Sequence, residues 1–498
     1  VAEVVLGWSA CRQTVLLALT AQRPGLLIVE DLHWIDPSTL ELLTLFLDQG
    51  PTARVLTLLT CRPEFRAPWG FCAHLTFLTL SRLLPTETEV MVARVVGRKA
   101  LPPEVAQQVV AKADGVPLFV EELTKMMLES GLLQEQEHQY ELRGPLSSSA
   151  IPATLHDSLM ARLDRLAVAK EVAQLGATLG RVFPYELLQA VSPWDEQTLQ
   201  QALARLVEAE LLYQHGVPPQ ATYRFKHALI QGAAYQSLLK STRQHYHRQI
   251  AQVLEARFPE IRATQPALVA QHYTEAVLTG QALGYWQRAG ERAIQRSAYV
   301  EAISHLTKGL ELLTALPNTP ERAQRELDLQ ITLGPAFMVI KGWGAAEVER
   351  VYTPARELCE QVGHTRQLLR ALNGLHAFHL VRANIQTAWE LGEQFFRIAQ
   401  RVQDPQALLW AHYELGETSF YRGEFASPRA HFEQGMAFYA SQQHNPRAMG
   451  SPDPGMACVA WAAHALWVLG YPDQASTRME EALTLAQELS HPLTSHTP

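Results

Sequence analysis

Glu30 and Asp31 stand side by side directly after a short apolar run in LLIVEDLHWIDPSTLELL, residues 26–43. A wholly apolar run of this length reads as a strand buried on both faces. Ligands of parallel sheets sit at the carboxyl ends of such strands. There one carboxylate can offer a hard oxygen to a Mg²⁺ ion carried by a nucleotide, and a second can orient or deprotonate an attacking water. The pair equally suits an acidic strand-to-loop junction standing in solvent. The next apolar run, in RVLTLLTCRPEF, leads to Arg62. A cation at the tip of a neighbouring strand can reach a terminal phosphate from the side, although a local pair with Glu64 would use the same charge. Further on, ADGVPLFVEEL (113–123) places Gly115 and Pro117 between two helical stretches, as any helix–turn–helix junction does. Asp36, before Pro37, fits an N-cap, and Trp34 fits a packing residue.

Other signals carry less chemistry. His245 and His247 form an HxH, but positions i and i+2 of a helix face different ways, which argues against a metal site. Lys240, Arg243, Arg248 and Arg257 make a mildly basic helix, too sparse for a nucleic-acid surface and better suited to packing on a neighbouring domain. No Ser/His/Asp or Cys/His set follows from spacing. A formal charge of −8 over 498 residues supplies no basic field toward nucleic acid or anionic membrane. The five cysteines, Cys11, Cys61, Cys72, Cys359 and Cys458, show no CxxC or regular pairing, which suits a reducing, cytoplasmic setting. No basic-then-apolar leader opens the chain. The longest apolar stretch, MACVAWAAHALWVLGY (456–471), is short for a bilayer span and reads as a buried helix. The chain begins with Val and stops at SHPLTSHTP, so a piece of a longer protein is expected.

The elements that would position these residues alternate at first. Residues 10–21 suit a helix, 25–29 a strand, Pro37 opens a helix that Gly50 closes, 54–60 is a second buried strand and 75–80 a weaker third. Strand–helix–strand with short connections implies a parallel α/β sheet. Helices are predicted at 86–97, 103–113 and 117–129. The polar stretch 134–150 reads as a hairpin or linker, and 152–257 as short helices with one hairpin wing at 211–225. From about 262 the pattern is wholly helical and repeats. Small residues Ala302, Ala388, Pro428 and Ala475 recur at separations of 86, 40 and 47, a unit near 40 with one unit skipped. Gly290, Ser297, Ala302, Leu306 and Gly309 keep tetratricopeptide-like offsets. So do Gly416, Gly423, Pro428, Phe432 and Gly435, and again Ala463, Gly470, Ala475, Met479 and Ala482. Helix pairs of this kind bury their apolar stripes only by stacking into a superhelix with a concave face.

The stretches LLIVEDLHWIDPSTLELL, LLTCRPEF and DGVPLFVEEL, in this order and spacing, closely resemble the signal-transduction ATPases with numerous domains, a branch of the AAA+-like P-loop NTPases. The bacterial form it resembles is fused behind a class III adenylate or guanylate cyclase and followed by tetratricopeptide-like repeats. YRFKHALIQGAAYQSLL (223–239) resembles the winged-helix segment of that family, and the resemblance covers nearly the whole chain. It implies ATP and Mg²⁺ as cofactors. Glu30 matches the first Walker B acid, near Mg²⁺, and Asp31 the second, which orients the attacking water. Arg62 matches the sensor arginine, Pro117 the proline that lies against the adenine, and His227 a winged-helix histidine that senses phosphates; a histidine opening a helix is also an ordinary cap.

One departure matters. No GxxxxGK[ST] occurs in these 498 residues, and in the family that loop, which holds the phosphates, lies upstream of the first helix here. Half of the nucleotide site is therefore expected outside this chain, and the chain alone is expected to be inactive. The expected fold class is α/β, a partial P-loop sheet, followed by mainly α structure. The expected domains are ATPase core at 1–84, a helical lid-like part at 85–150, a winged-helix-like part at 151–260 and a repeat array at 261–498. The expected function is a nucleotide-dependent regulatory ATPase or sensor in a multidomain bacterial signalling protein. The alternatives are the same segment in a transcriptional regulator with a separate helix-turn-helix, and a non-catalytic repeat scaffold with a degenerate ATPase. The expected partner is a protein or small-molecule inducer on the repeat face, together with self-association, and neither nucleic acid nor membrane.

Overall fold

A computed structural model describes residues 23–49, 54–70, 74–97, 99–144, 152, 154–440 and 453–489. The helix expected at 10–21, Gly50, Cys11, Cys72, most of 145–153 and both chain ends lie outside the described residues. The chain packs as two compact units, one gathering the residues up to Leu75 with those from Thr279 onward, the other Thr76–Leu278.

In the first unit, β1 (Gly25–Val29) and β2 (Val55–Leu59) pair in parallel, with Val29 opposite Leu59. Helix α1 (Pro37–Gln49) connects them. The expectation that both strand faces are buried is corrected: exposure alternates along each strand. Leu27, Val29 and Leu59 pack on Leu32, Leu43, Leu47 and Trp69, while Leu26 (60% exposed) and Leu56 (62%) face away. Among the described residues, one helix covers one face of this two-stranded sheet. The third strand expected at 75–80 does not form; Phe77, Leu78 and Leu80 are exposed. This run crosses the sequence boundary between the units and among the described residues has no neighbouring strand to complete its backbone hydrogen bonds, without which an apolar run does not become a strand.

In the second unit, α2 (Pro85–Val96), α3 (Pro103–Ala113) and α4 (Pro117–Glu129) each begin with a proline at the first helical position, where the missing N–H costs nothing. They close on Val105, Val109, Leu123 and Met127. The hairpin of β3 (Leu133–Glu135) and β4 (Tyr140–Leu142) follows. Next come α5 (Leu155–Asp164), α6 (Val168–Leu179), β5 (Val182–Pro184), α7 (Tyr185–Val191), α8 (Glu196–Glu208), β6 (Leu212–His215) and β7 (Thr222–Phe225). The antiparallel sheet has the order β5-β7-β6, and β6–β7 is the hairpin read at 211–225. Then α9 (Ala228–Gln236), α10 (Lys240–Arg257), α11 (Pro259–Thr264) and α12 (Pro266–Glu275) complete the unit. His245 is exposed and His247 buried, so the HxH residues point apart.

The rest of the first unit is helix pairs. These are α13 (Thr279–Gln295) with α14 (Tyr299–Leu313), α15 (Pro320–Lys341) with α16 (Ala346–Val362), α17 (Thr365–Val381) with α18 (Ile385–Val402), α19 (Pro405–Tyr421) with α20 (Ala426–Ala440), and α21 (Pro454–Val468) with α22 (Pro472–Leu489). Each helix packs on the next, and the first helices of successive pairs, α13, α15, α17, α19 and α21, also pack on one another. The small residues mark the close approaches. A Cβ on Gly290 would lie 2.5 Å from Leu306, and one on Gly416 would lie 2.6 Å from Phe432, the same contact three repeats apart. The second pair keeps it, with Gly334 on α15 against Tyr352 on α16, and in the third the sizes swap: Gly392 on α18 faces His376 on α17. Helix α21 is buried only in part, since Trp467 near its end is 66% exposed. No helix among the described residues is long and apolar enough to cross a membrane.

Candidate functional site

Thr60, one residue past β2, ties the two strand tips together. Its N–H donates to the carbonyl of Val29 (3.0 Å), its own carbonyl accepts from Leu32 N–H (2.9 Å), and its Oγ1 accepts from Asp31 N–H (3.0 Å). Asp31 takes a left-handed backbone conformation, φ 57 and ψ 46, which Asp tolerates better than most residues. The chain thus turns sharply after Glu30 into the single 3₁₀ turn Leu32–Trp34. Glu30 is exposed at the tip and Asp31 half-buried beside it.

Arg62 leaves the other tip and lies over the Trp34 ring, 5.6 Å from its centroid. Trp34, expected to be a packing residue, is 56% exposed; it presents an aromatic face that holds the guanidinium by a cation–π contact. No ion pair of Arg62 with Glu64 forms among the described residues, although both are exposed. Asp36 is the N-cap expected: its carboxylate accepts from Thr39 N–H (2.9 Å) and from Thr39 Oγ1 (2.6 Å). Burial works against its charge, and these hydrogen bonds outweigh it, holding its pKa below the usual carboxylate value. The start of α1 also meets the first repeat pair, where Ser38 N–H donates to Glu301 Oε1 at 2.9 Å.

Pro117 and His227 belong to the second unit. Pro117 is exposed at the start of α4. The turn before it needs glycine: Gly115 has φ +67, and a Cβ there would stand 2.3 Å from the Leu83 carbonyl oxygen. Leu83 N–H donates to the Gly115 carbonyl at 2.8 Å. His227 is the N-cap of α9, its Nδ1 accepting from Leu229 N–H at 3.1 Å. An accepting nitrogen carries no proton, so the neutral ring is the Nε2–H tautomer.

Sequence reasoning passed over the acids that follow Pro117 and the lysine before His227. Glu121 Oε1 accepts from Lys226 Nζ (2.6 Å) and from Lys125 Nζ (2.7 Å), and Glu210 joins the same cluster. Burial opposes the charge on Lys226, but Glu121 and Glu210 hold its pKa above the usual lysine value. Glu122, fully buried, pairs with buried Arg162, which also binds Glu129 (2.9 Å) and the Ala209 carbonyl (2.6 Å). VPLFVEEL therefore joins α4 to α5 and to the β7–α9 turn through charge. The signal available in sequence was two adjacent acids directly after the apolar run PLFV.

No family model matches the chain. It is 24% identical over 496 residues to an uncharacterized protein of Rhizobium meliloti (strain 1021), with 95% of this chain covered. The chain spans 46% of that relative, about half its length. Among solved structures it is similar to a signal transduction ATPase with numerous domains that has a tetratricopeptide repeat sensor, from Pyrococcus horikoshii. That match has 12% identity, 93% of this chain, 69% of the other and a TM-score of 0.34. It is also similar to NprR in complex with its cognate peptide NprX, at 12% identity, 62% of this chain, 79% of the other and a TM-score of 0.35.

Proposed function

We propose that the chain is the nucleotide-responsive regulatory segment of a multidomain signalling ATPase, linked to an adenylate or guanylate cyclase, whose helix pairs bind a protein or small-molecule inducer. In this reading β1 and β2 are part of a P-loop sheet, and the unit with the β5-β7-β6 sheet is a winged helix. The observation that carries it is the Thr60 clamp, which sets two carboxylates and one arginine on adjoining parallel strand tips.

The residues fit a magnesium nucleotide better than a bare ion. No group of three or more His, Cys, Asp or Glu comes together as a metal site among the described residues. A divalent ion at Glu30 would thus keep phosphate and water oxygens as its other ligands, as Mg²⁺ commonly does. When bound, Mg²⁺ neutralises charge that develops on the phosphates. Glu30 faces solvent at the tip and holds the metal side. Asp31, fixed by Thr60, positions and takes a proton from water. Arg62 approaches from the neighbouring strand. Pro117 and His227 belong to the second unit, where they stand as the candidates for contact with an adenine and with a phosphate.

Calorimetry with Mg-ATP tests this on the 498-residue chain and on a form extended at its N-terminus to include a phosphate loop. The chain alone should bind weakly and the extended form tightly. In the extended form, Asp31→Asn should keep binding and lose about 10²–10⁴-fold in hydrolysis. Arg62→Ala should weaken ATP more than ADP, because only ATP has the phosphate it reaches. Parental hydrolysis by Asp31→Asn, or equal loss of both nucleotides with Arg62→Ala, refutes the roles. An extended form that binds no nucleotide leaves the repeat-scaffold alternative.

A further inference from the structure

Helix α19 carries two acids on the side away from the second helices of the pairs. Gly416 and Leu409 of α19 face α20, and Leu415 faces α18. Helical geometry then turns Trp410, Tyr413, Glu414, Glu417 and Tyr421 toward the opposite side, where α17 and α21 flank α19. Glu414 is 1% exposed. Its Oε1 accepts from Asn373 Nδ2 of α17 at 2.7 Å, while its Oε2, equally buried, has no hydrogen-bond partner among the described residues. Glu417, one turn on, is half-buried and hydrogen-bonded to Tyr413.

Aromatic rings surround the pair. Trp410 and Tyr413 lie 5.8 Å apart, centroid to centroid, and Tyr421 lies 5.7 Å from Trp461 of α21. The titratable and charged groups nearby are His376, His379 and Arg370 on α17, Tyr413 and Tyr421 on α19, and Asp453, Cys458 and His464 at α21. Burial lowers the pKa of His376 to about 4, so the ring is neutral near pH 7; its Nε2 donates to Thr418 Oγ1 (2.7 Å), whose hydroxyl is already donated to the Glu414 carbonyl. Among the described residues, neither Glu414 nor Glu417 forms an ion pair.

A buried carboxylate with one oxygen unpaired is costly unless something charged meets it, and aromatic faces attract cations. We propose that this face of α19 recognises an organic cation, a guanidinium or alkylammonium group of the ligand that the repeats bind. The inference rests on the reading of the repeats as a ligand-binding sensor and names the chemistry of that ligand. The cation meets Glu417 first, pairs with Glu414 Oε2, and lies against Tyr421 and Trp461. Burial raises the pKa of Glu414 to about 8 and that of Glu417 to about 7. Both are thus partly protonated near neutrality, and binding converts a carboxylic acid into a carboxylate paired with the cation, releasing its proton to solvent.

The test titrates the 498-residue chain with argininamide, lysinamide and spermidine by calorimetry near pH 7, in two buffers of different ionisation enthalpy. Saturable binding of at least one cation with proton release is expected. Glu417→Gln and Glu414→Gln should each weaken it about tenfold or more, the worth of a charge-assisted hydrogen bond. Gln at 414 retains the oxygen that Asn373 uses, so unchanged circular dichroism separates lost recognition from lost folding. The proposal is overturned by no saturation with any of the three, by parental affinity in both variants, or by binding without proton release. Failure here, with tight Mg-ATP binding by the extended form, leaves the ATPase reading intact. Cation binding by a protein whose extended form ignores ATP overturns only the nucleotide part.

Discussion

Replacing Glu414 by Gln should make the protein more stable, and by an amount set by pH. The carboxyl is pushed from 4.5 to about 8, first by burial and then by repulsion from Glu417, with the Asn373 hydrogen bond working in the other direction. Below about pH 4.5 the acid is protonated in both folded and unfolded chains and carries no penalty. As pH rises toward 8 the unfolded chain ionises while the folded one holds its proton, so stability is lost progressively. Above about 8 the loss stops growing. At about 1.4 kcal/mol per pH unit the penalty reaches about 3 kcal/mol at pH 7 and about 5 kcal/mol at its plateau. Gln lacks the titration and keeps the acceptor for Asn373, so Glu414→Gln removes the part of the slope that Glu414 contributes, while Glu417, also raised by burial, keeps its own. The assay is urea unfolding followed by circular dichroism, for parent and variant, across about pH 4.5 to 9. The two should coincide at the acid end and diverge as pH rises, the variant becoming the more stable. A constant difference across the range, or a variant less stable at pH 8.5, refutes the reasoning, because burial of an ionisable carboxyl is its only premise.

Four further outcomes follow from other contacts. Glu122→Ala removes one of the two carboxylates on buried Arg162 and leaves Glu129 and the Ala209 carbonyl, so it should cost about 1–3 kcal/mol, read as a lower urea midpoint; an unchanged midpoint would mean the pair does not hold α4 to α5. Gly115→Ala meets both a positive φ and the Leu83 carbonyl, and should lower stability by about 1–3 kcal/mol, whereas a neutral effect in thermal unfolding would show that the turn before Pro117 is adaptable. Tyr352 is fully buried between Gly334 and Gly374, where an added Cβ would lie 2.2 and 2.3 Å from its ring. Gly374→Ala should therefore cost about 1–3 kcal/mol by overpacking, and parental thermal stability would contradict the close stacking of α15, α16 and α17. Buried His247 and His272 touch through Nδ1 at 2.8 Å, and desolvation lowers their pKa values to about 4 and about 3. Their contribution is complete above about pH 6.5 and is lost as pH falls toward 3, so His272→Phe should flatten the acid limb of unfolding; an unchanged limb would show that the pair does not titrate.

Short-range signals were enough for much of this architecture. Prolines at the first helical position and the period of the apolar residues placed Pro103–Ala113 and Pro117–Glu129, because caps and periodicity act within a few residues. The recurrence of glycine and large apolar residues announced the helix pairs, since each close approach repeats one local contact: Gly290 on Leu306, then Gly416 on Phe432. The paired acids after an apolar run named a candidate site for the same reason. Tertiary structure decided what depends on partners far along the chain. Among the described residues, it left Leu26 and Leu56 exposed on one face of β1 and β2, gave the apolar run at 75–80 no strand partner, and set Arg62 on Trp34 rather than on Glu64. It also made Thr60 the clamp between the tips, matched Glu121 to Lys226 and Glu122 to Arg162, and buried Glu414. A side chain's charge state and partner follow from which surfaces close over it, and that closure is a property of packing between distant segments that no local pattern encodes.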